Sequence, residues 1–224
     1  MKILSRTSLA VVCCLAVLGI GTFLATSSQA ARVERATLPD TTGSIVVCDA
    51  DIAPEKEVTF SGLGTFKPVG IGDAPPIVAV VGESYVSRAG LKTVPLRIVA
   101  NGGHSFAEGL GETRFWLDPS RPMSSAIWEK TPGTEFPAIQ EMRFHFLYTA
   151  EAMPGRVFRS MNPSIMRSDN VRSFPPPPGT VYRLMRPIEL EDIQNPGVVV
   201  GRVLNNKVTI PTSHLVQPNF RFEE

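Results

Sequence analysis

The chain has 224 residues, 22 Lys+Arg against 21 Asp+Glu, and 20 prolines. Without its first 30 residues, 194 remain, with 20 basic and 21 acidic side chains. This near-neutral balance argues against a nucleic-acid binder, an acidic disordered tail is excluded, and the length suits one domain with a sizeable core.

The amino terminus carries the most specific pattern. Lys2 and Arg6 precede an uncharged run from Leu9 to Leu24, and Ser28 and Ala30 are small residues at the −3 and −1 positions of a cleavage site. A positive segment, an apolar core and small residues before the cut describe a secretory signal peptide, with cleavage after Ala30. The alternative is an uncleaved anchor through residues 9–24, although that run is short for a membrane span. No later segment is long and apolar enough to cross a membrane as a helix. The expected organisation is a signal peptide at 1–30, a flexible leader at 31–43, and one domain at 44–224. The mature chain is expected to be secreted or periplasmic.

Cys13 and Cys14 fall within the signal, which leaves Cys48 alone. One cysteine makes no internal disulfide. It lies in Ile45-Val46-Val47-Cys48, a buried-strand pattern, and reads as a small core hydrophobe or as a partner in an intermolecular disulfide.

Strand signals then follow one another. Ser44–Cys48 is the first. Glu57–Phe66 follows, with Gly62 and Gly64 suggesting a bulge or bend. Ile77–Val81 is a short apolar run, and Val94–Ala100 alternates cleanly. Asn101-Gly102-Gly103 is a turn signal, and Thr113–Leu117 is another strand. Residues 119–137 look irregular, with one or two helical turns expected at 124–130. In Ile139–Thr149, Met142, Phe144, Phe146 and Tyr148 occupy one face, which is period 2 with aromatic enrichment. Arg156–Met161 and Thr180–Met185 continue the pattern, a short helix is expected at 188–194, and 198–210 reads as a hairpin turning at Asn205-Asn206. Pro175–Pro178 reads as a stiff polyproline crossover between sheets. The fold class is therefore all-β: an antiparallel β-sandwich, or alternatively a β-barrel, with long Pro/Gly-rich loops and one or two short helices.

Catalytic patterns are weak. His104, His145 and His214 have no close partner at metal-ligand spacing. The glycines match neither a nucleophile elbow nor a phosphate loop. Asp49-Ala50-Asp51 is only a fragment of a calcium loop. No cofactor or metal is expected. A hydrolase would have to assemble its site from distant strands, and His104, His145, Glu141 and Asp118 are its candidates. Candidate binding residues are the aromatics Trp116, Trp128 and Phe136, and the basic cluster Arg156, Arg159, Arg167 and Arg172. The leading expectation is an exported, non-enzymatic protein that binds a protein or envelope partner or joins an assembly. Its main alternative is a carrier of a small apolar or amphipathic ligand, with the aromatic face at 142–148 lining a cavity between sheets or in a barrel.

Overall fold

The computed structural model describes residues 38, 42–52, 56–71, 75–121 and 123–217. The expected signal at 1–30 and most of the expected leader lie outside those residues. Leu38, within the leader, is buried, and its amide donates to Glu135 Oε2 at 3.2 Å.

The chain lays down strands in short groups that alternate between two sheets. β1 (Ile45–Cys48) and β2 (Asp51–Ile52) enter the first sheet. β3 (Glu57–Phe60), β4 (Gly64–Phe66) and β5 (Val69–Gly70) enter the second. β6 (Ile77–Val81), β7 (Tyr85–Val86) and β8 (Lys92–Ala100) return to the first, and β9 (Gly102–Ala107) and β10 (Gly111–Leu117) to the second. Pairs then alternate. β11 (Ser124–Thr131) and β12 (Thr134–Phe144) join the first sheet, and β13 (Phe146–Ala150) and β14 (Phe158–Ser160) the second. β15 (Ser164–Val171) and β16 (Thr180–Leu184) join the first, and β17 (Ile188–Asp192) and β18 (Asn195–Asn205) the second. β19 (Lys207–Ile210) and β20 (Ser213–Val216) end the described chain in the first. Every pairing is antiparallel.

Both sheets curl. In the second, β3 lies three strand steps from β14, in the order β3-β18-β17-β14. A flat sheet would hold them about 14 Å apart, yet the rings of Phe60 and Phe158 sit 4.9 Å apart. In the first, Val46 of β1 and Ile210 of β19 are seven steps apart but wall the same small cavity, of about 20 Å³. Across that interior the Tyr182 hydroxyl donates to Gln140 Oε1 at 2.8 Å. The fold is thus all-β, two nearly closed antiparallel sheets of the sandwich-or-barrel class, and among the described residues no helix is present.

Several expectations need correction. The aromatic strand at 139–149 is two strands. β12 ends at Phe144 in one sheet, β13 begins at Phe146 in the other, and His145 is the corner. Alternation persists across the corner, so Met142, Phe144, Phe146 and Tyr148 are all buried. Period 2 reports which face is buried and not which neighbour pairs with it. The 198–210 hairpin is also a corner, because β18 pairs with β17 and β3 while β19 pairs with β16 and β2. Asn101-Gly102 likewise carries the chain from β8 to β9, in different sheets. The helices expected at 124–130 and 188–194 are β11 and β17. In β11 Ser125, Ile127 and Glu129 point inward while Trp128 points outward, a strand alternation that hydrophobicity alone disguises. The 119–137 segment contains most of the β11–β12 hairpin, turned at Pro132-Gly133, where Gly133 takes φ 74°. Glu57–Phe66 is a hairpin rather than one bent strand. The tetraproline segment joins β15 to β16, neighbours in one sheet, so it is no crossover between sheets.

Candidate functional site

The corners converge on a cavity of about 50 Å³ walled by both sheets. Asn101 and Asn206, two of the single-residue corners, line it, as do Phe144 and Phe146 on either side of the third. Met142, Met166 and Phe115 extend an apolar wall. Phe115 and Phe146 pack edge to face, with centroids 6.2 Å apart. The volume equals about three to five water-sized spheres. Two methionines in the wall make it adjustable, because an unbranched thioether repacks readily.

One charged side chain enters this cavity. Lys56 precedes β3, and its phase places it inward with Val58 and Phe60. It is only 5% exposed. Its Nζ lies 5.2 Å from the Phe115 ring centroid and 5.7 Å from that of Tyr148. Ring faces stabilise an ammonium by about 0.5–2 kcal/mol. Among the described residues no carboxylate pairs with it. Burial pushes its pKa down to about 8, which leaves most of the population cationic at neutral pH. Burial also pushes Tyr148 up to about 12. The buried Tyr148 hydroxyl has no partner at hydrogen-bond geometry, and the Thr113 hydroxyl beside it pairs with that of Ser105 at 2.6 Å. Asn206 Oδ1 is likewise unpartnered, and its Nδ2 meets only Met166 Sδ at 4.0 Å.

The candidate hydrolase residues do not assemble. His104 lies on the outer face of β9 beside Glu112, at 3.7 Å. Glu141 lies on β12 against Arg143 and Arg167. Only Asp118 and His145 meet, through the Asp118 amide and the His145 carbonyl at 2.9 Å. His145 Nδ1 is 3.2 Å from both the carbonyl and the hydroxyl of Ser160. Ser160 is fully buried, and its hydroxyl accepts from the Phe146 amide at 3.1 Å. Arg121 donates to the carbonyls of Ser160 and Met161, both at 3.1 Å. Burial lowers the His145 pKa. The cluster pins the β13–β14 pair. Cys48 is buried beside Tyr182, and burial, then Asp49, push its thiol up to about 12.

The expected binding residues divide between the sheets. Arg156 donates to Asp192 at 2.7 Å and covers the Phe158 ring at 5.0 Å. Arg159 donates to Glu191 at 2.8 Å. Both belong to the second sheet's own framework. Trp116 is half-exposed on β10, and Phe136 packs against the core. On the first sheet, Arg167 donates to Asp169 at 2.7 Å and stands 5.9 Å from the Trp128 ring. Arg172 joins Arg167 and Arg183 around a surface cleft of about 470 Å³ roofed by Pro177 and Pro178. Arg167, Arg183 and Lys207 face one another in register on adjacent strands, an arrangement of like charges that costs stability. Lys56 is absent from the sequence candidates because Glu55-Lys56-Glu57 resembles a solvated charge run. The signal that finds it is its even-numbered phase with Val58 and Phe60.

Neither a protein-family profile nor a curated relative matches the chain. Among solved structures it is similar to DynF, from the dynemicin biosynthesis pathway of Micromonospora chersina. The two share 18% identity and a TM-score of 0.59, over 83% of this chain and 85% of DynF. That likeness concerns the fold alone.

Proposed function

We propose that the protein is an exported, non-enzymatic binding protein for a small amphipathic molecule, held in the cavity between its two sheets. The observation that carries this reading is an apolar, aromatic-walled space containing one buried cation that no carboxylate among the described residues neutralises. Small-molecule sites combine apolar walls with a few placed polar groups, and this cavity offers Lys56, Asn101 and Asn206 for that purpose. The dispersal of the hydrolase candidates favours binding over catalysis. DynF belongs to a biosynthesis pathway, which suits a small-molecule role without specifying one. Export rests on Lys2, Arg6, the Leu9–Leu24 run and the small residues Ser28 and Ala30.

The test is native mass spectrometry of protein exported from its own host. The expected mass is that of residues 31–224 plus an increment that denaturation removes. A bare protomer that also gains no thermal stability from any short-chain amphiphile would overturn the binding reading. A protomer retaining residues 1–30 would overturn export.

A second reading concerns the cleft at Arg167, Arg172 and Arg183. Arg172 and Arg183 are exposed and form no ion pair among the described residues. These two exposed guanidinium groups at one cleft favour an acidic protein or envelope partner there. Charge reversal at Arg172 and Arg183 would abolish such docking and leave the cavity's ligand in place.

A further inference from the structure

Five charged residues are buried among those described: Lys56, Asp118, Glu129, Glu191 and Asp192. The four carboxylates each accept hydrogen bonds from within the fold. Glu129 accepts from the amides of Lys92 and Gly133, at 2.8 and 3.3 Å. Glu191 accepts from Arg159 and from the Gly197 amide, at 2.8 and 2.7 Å. Asp192 accepts from Arg156 and from the Gln194 amide, at 2.7 and 3.0 Å. Asp118 accepts through Oδ1 from the amide and hydroxyl of Ser120, at 3.0 and 2.6 Å, while its Oδ2 makes no hydrogen bond and stands 3.9 Å from Arg121 Nε. Lys56 has only the faces of two rings. A buried charge is normally paired, so the fold leaves one counter-ion unsupplied, at a cavity wall.

We infer that the cavity's occupant is a small amphipathic carboxylic acid whose carboxylate pairs with Lys56 Nζ while its hydrocarbon part lies among Phe115, Phe144, Phe146 and the two methionines. This deepens the binding reading above and rests on it. The occupant is a monoanion because Lys56 is the sole cation among the described residues that line the cavity. A phosphate group would call for a second cation or a guanidinium fork, and among the described residues neither Arg nor a second Lys lines the space. Asn206 supplies the secondary contact. Its amide is almost uncommitted, and turning it about its terminal bond presents the NH₂ group to an anion. An uncharged head group would leave the ammonium unpaired. A carbonyl captured as an imine needs the neutral amine, which the ring faces disfavour and which is the minor form at neutral pH, given a pKa of about 8.

The experiment compares pentanoate, 1-pentanol and pentanal as probes of the full mature chain by titration calorimetry, with the pentanal arm repeated under cyanoborohydride and read by intact mass. Pentanoate is expected to bind at least about tenfold more tightly than 1-pentanol, as a charge-assisted contact provides. Lys56→Met is expected to erase that preference while keeping alcohol binding, and Lys56→Gln makes the same comparison should the Met variant not fold. Pentanoate affinity should stay nearly level from about pH 6 to 8, where the carboxylate is ionised, and fall above it as the ammonium deprotonates. Among the described lining residues Tyr148 is the only other titratable side chain, and it stays neutral across that range. Equal affinity for acid and alcohol overturns the carboxylate assignment and leaves the cavity reading standing. Binding of neither by folded protein overturns both. A pentanal adduct on Lys56, heavier by the aldehyde less one oxygen, without any preference for the acid would assign the amine to covalent capture and overturn the ion pair.

Discussion

At the scale of single residues, Lys56 sets the protein's chemistry against its own stability. Burial makes the folded chain hold this proton less tightly than the unfolded chain does. Between pH 8 and the ordinary lysine value of 10.5, the unfolded state therefore carries the extra proton, and stability from this group rises with pH. The full shift corresponds to about 3 kcal/mol. Cys48 and Tyr148 act oppositely at high pH, because burial keeps both neutral in the folded state. Comparison with Lys56→Met removes their common contribution. Urea unfolding of the two proteins from pH 7 to 10 should show Lys56→Met the more stable at pH 7, with the gap shrinking as pH rises. A constant gap would mean that the ammonium is not desolvated. Cys48 gives a second expectation. Its thiol should resist iodoacetamide in folded protein at pH 8 and react once urea unfolds the chain, because the thiolate is the nucleophile. The sequence supports the burial of Cys48 through the Val46–Cys48 alternation. It conceals Lys56, since two glutamates flank it and hydropathy weighs identity above phase.

At the scale of elements, the corners organise the fold. Asn101, His145 and Asn206 each carry the chain between sheets within one residue. Close pairing elsewhere depends on glycine. A Cβ on Gly201 would lie 2.7 Å from the Thr59 carbonyl and 2.8 Å from the Phe60 ring. Gly201→Ala should therefore cost about 1–3 kcal/mol, read as a lowered urea midpoint. Phe158→Ala, at a fully buried ring against Phe60, should cost about 3–5 kcal/mol. Trp116→Ala, on the outer face, should cost less than about 1 kcal/mol. Equal losses for Phe158 and Trp116 would contradict the assignment of inner and outer faces. Strand existence was legible wherever apolar residues alternate, as in Ile77–Val81, Val94–Ala100 and the 142–148 face. Strand partners were not, because alternation passes unbroken through a corner. β11 and β17 look helical in the sequence because their inward positions include Glu129, Glu191 and Asp192, whose partners come from distant strands.

At the scale of the molecule, two curled sheets meet along a seam, and the seam contains the aromatic-walled cavity. The sequence foresaw the lining at 142–148 as one option. It could not place Phe115, Met166 or Asn206 beside that face, since those contacts depend on which strands cross. Met142 and Met166 wall the cavity, while Met185 lies exposed outside it, so three methionine methyls report on occupancy. The most direct measurement is a methyl NMR titration of methionine-labelled protein with pentanoate. The account predicts saturable shifts at Met142 and Met166 with Met185 unmoved. Stationary Met142 and Met166 signals, or equal drift at all three, would contradict binding between the sheets.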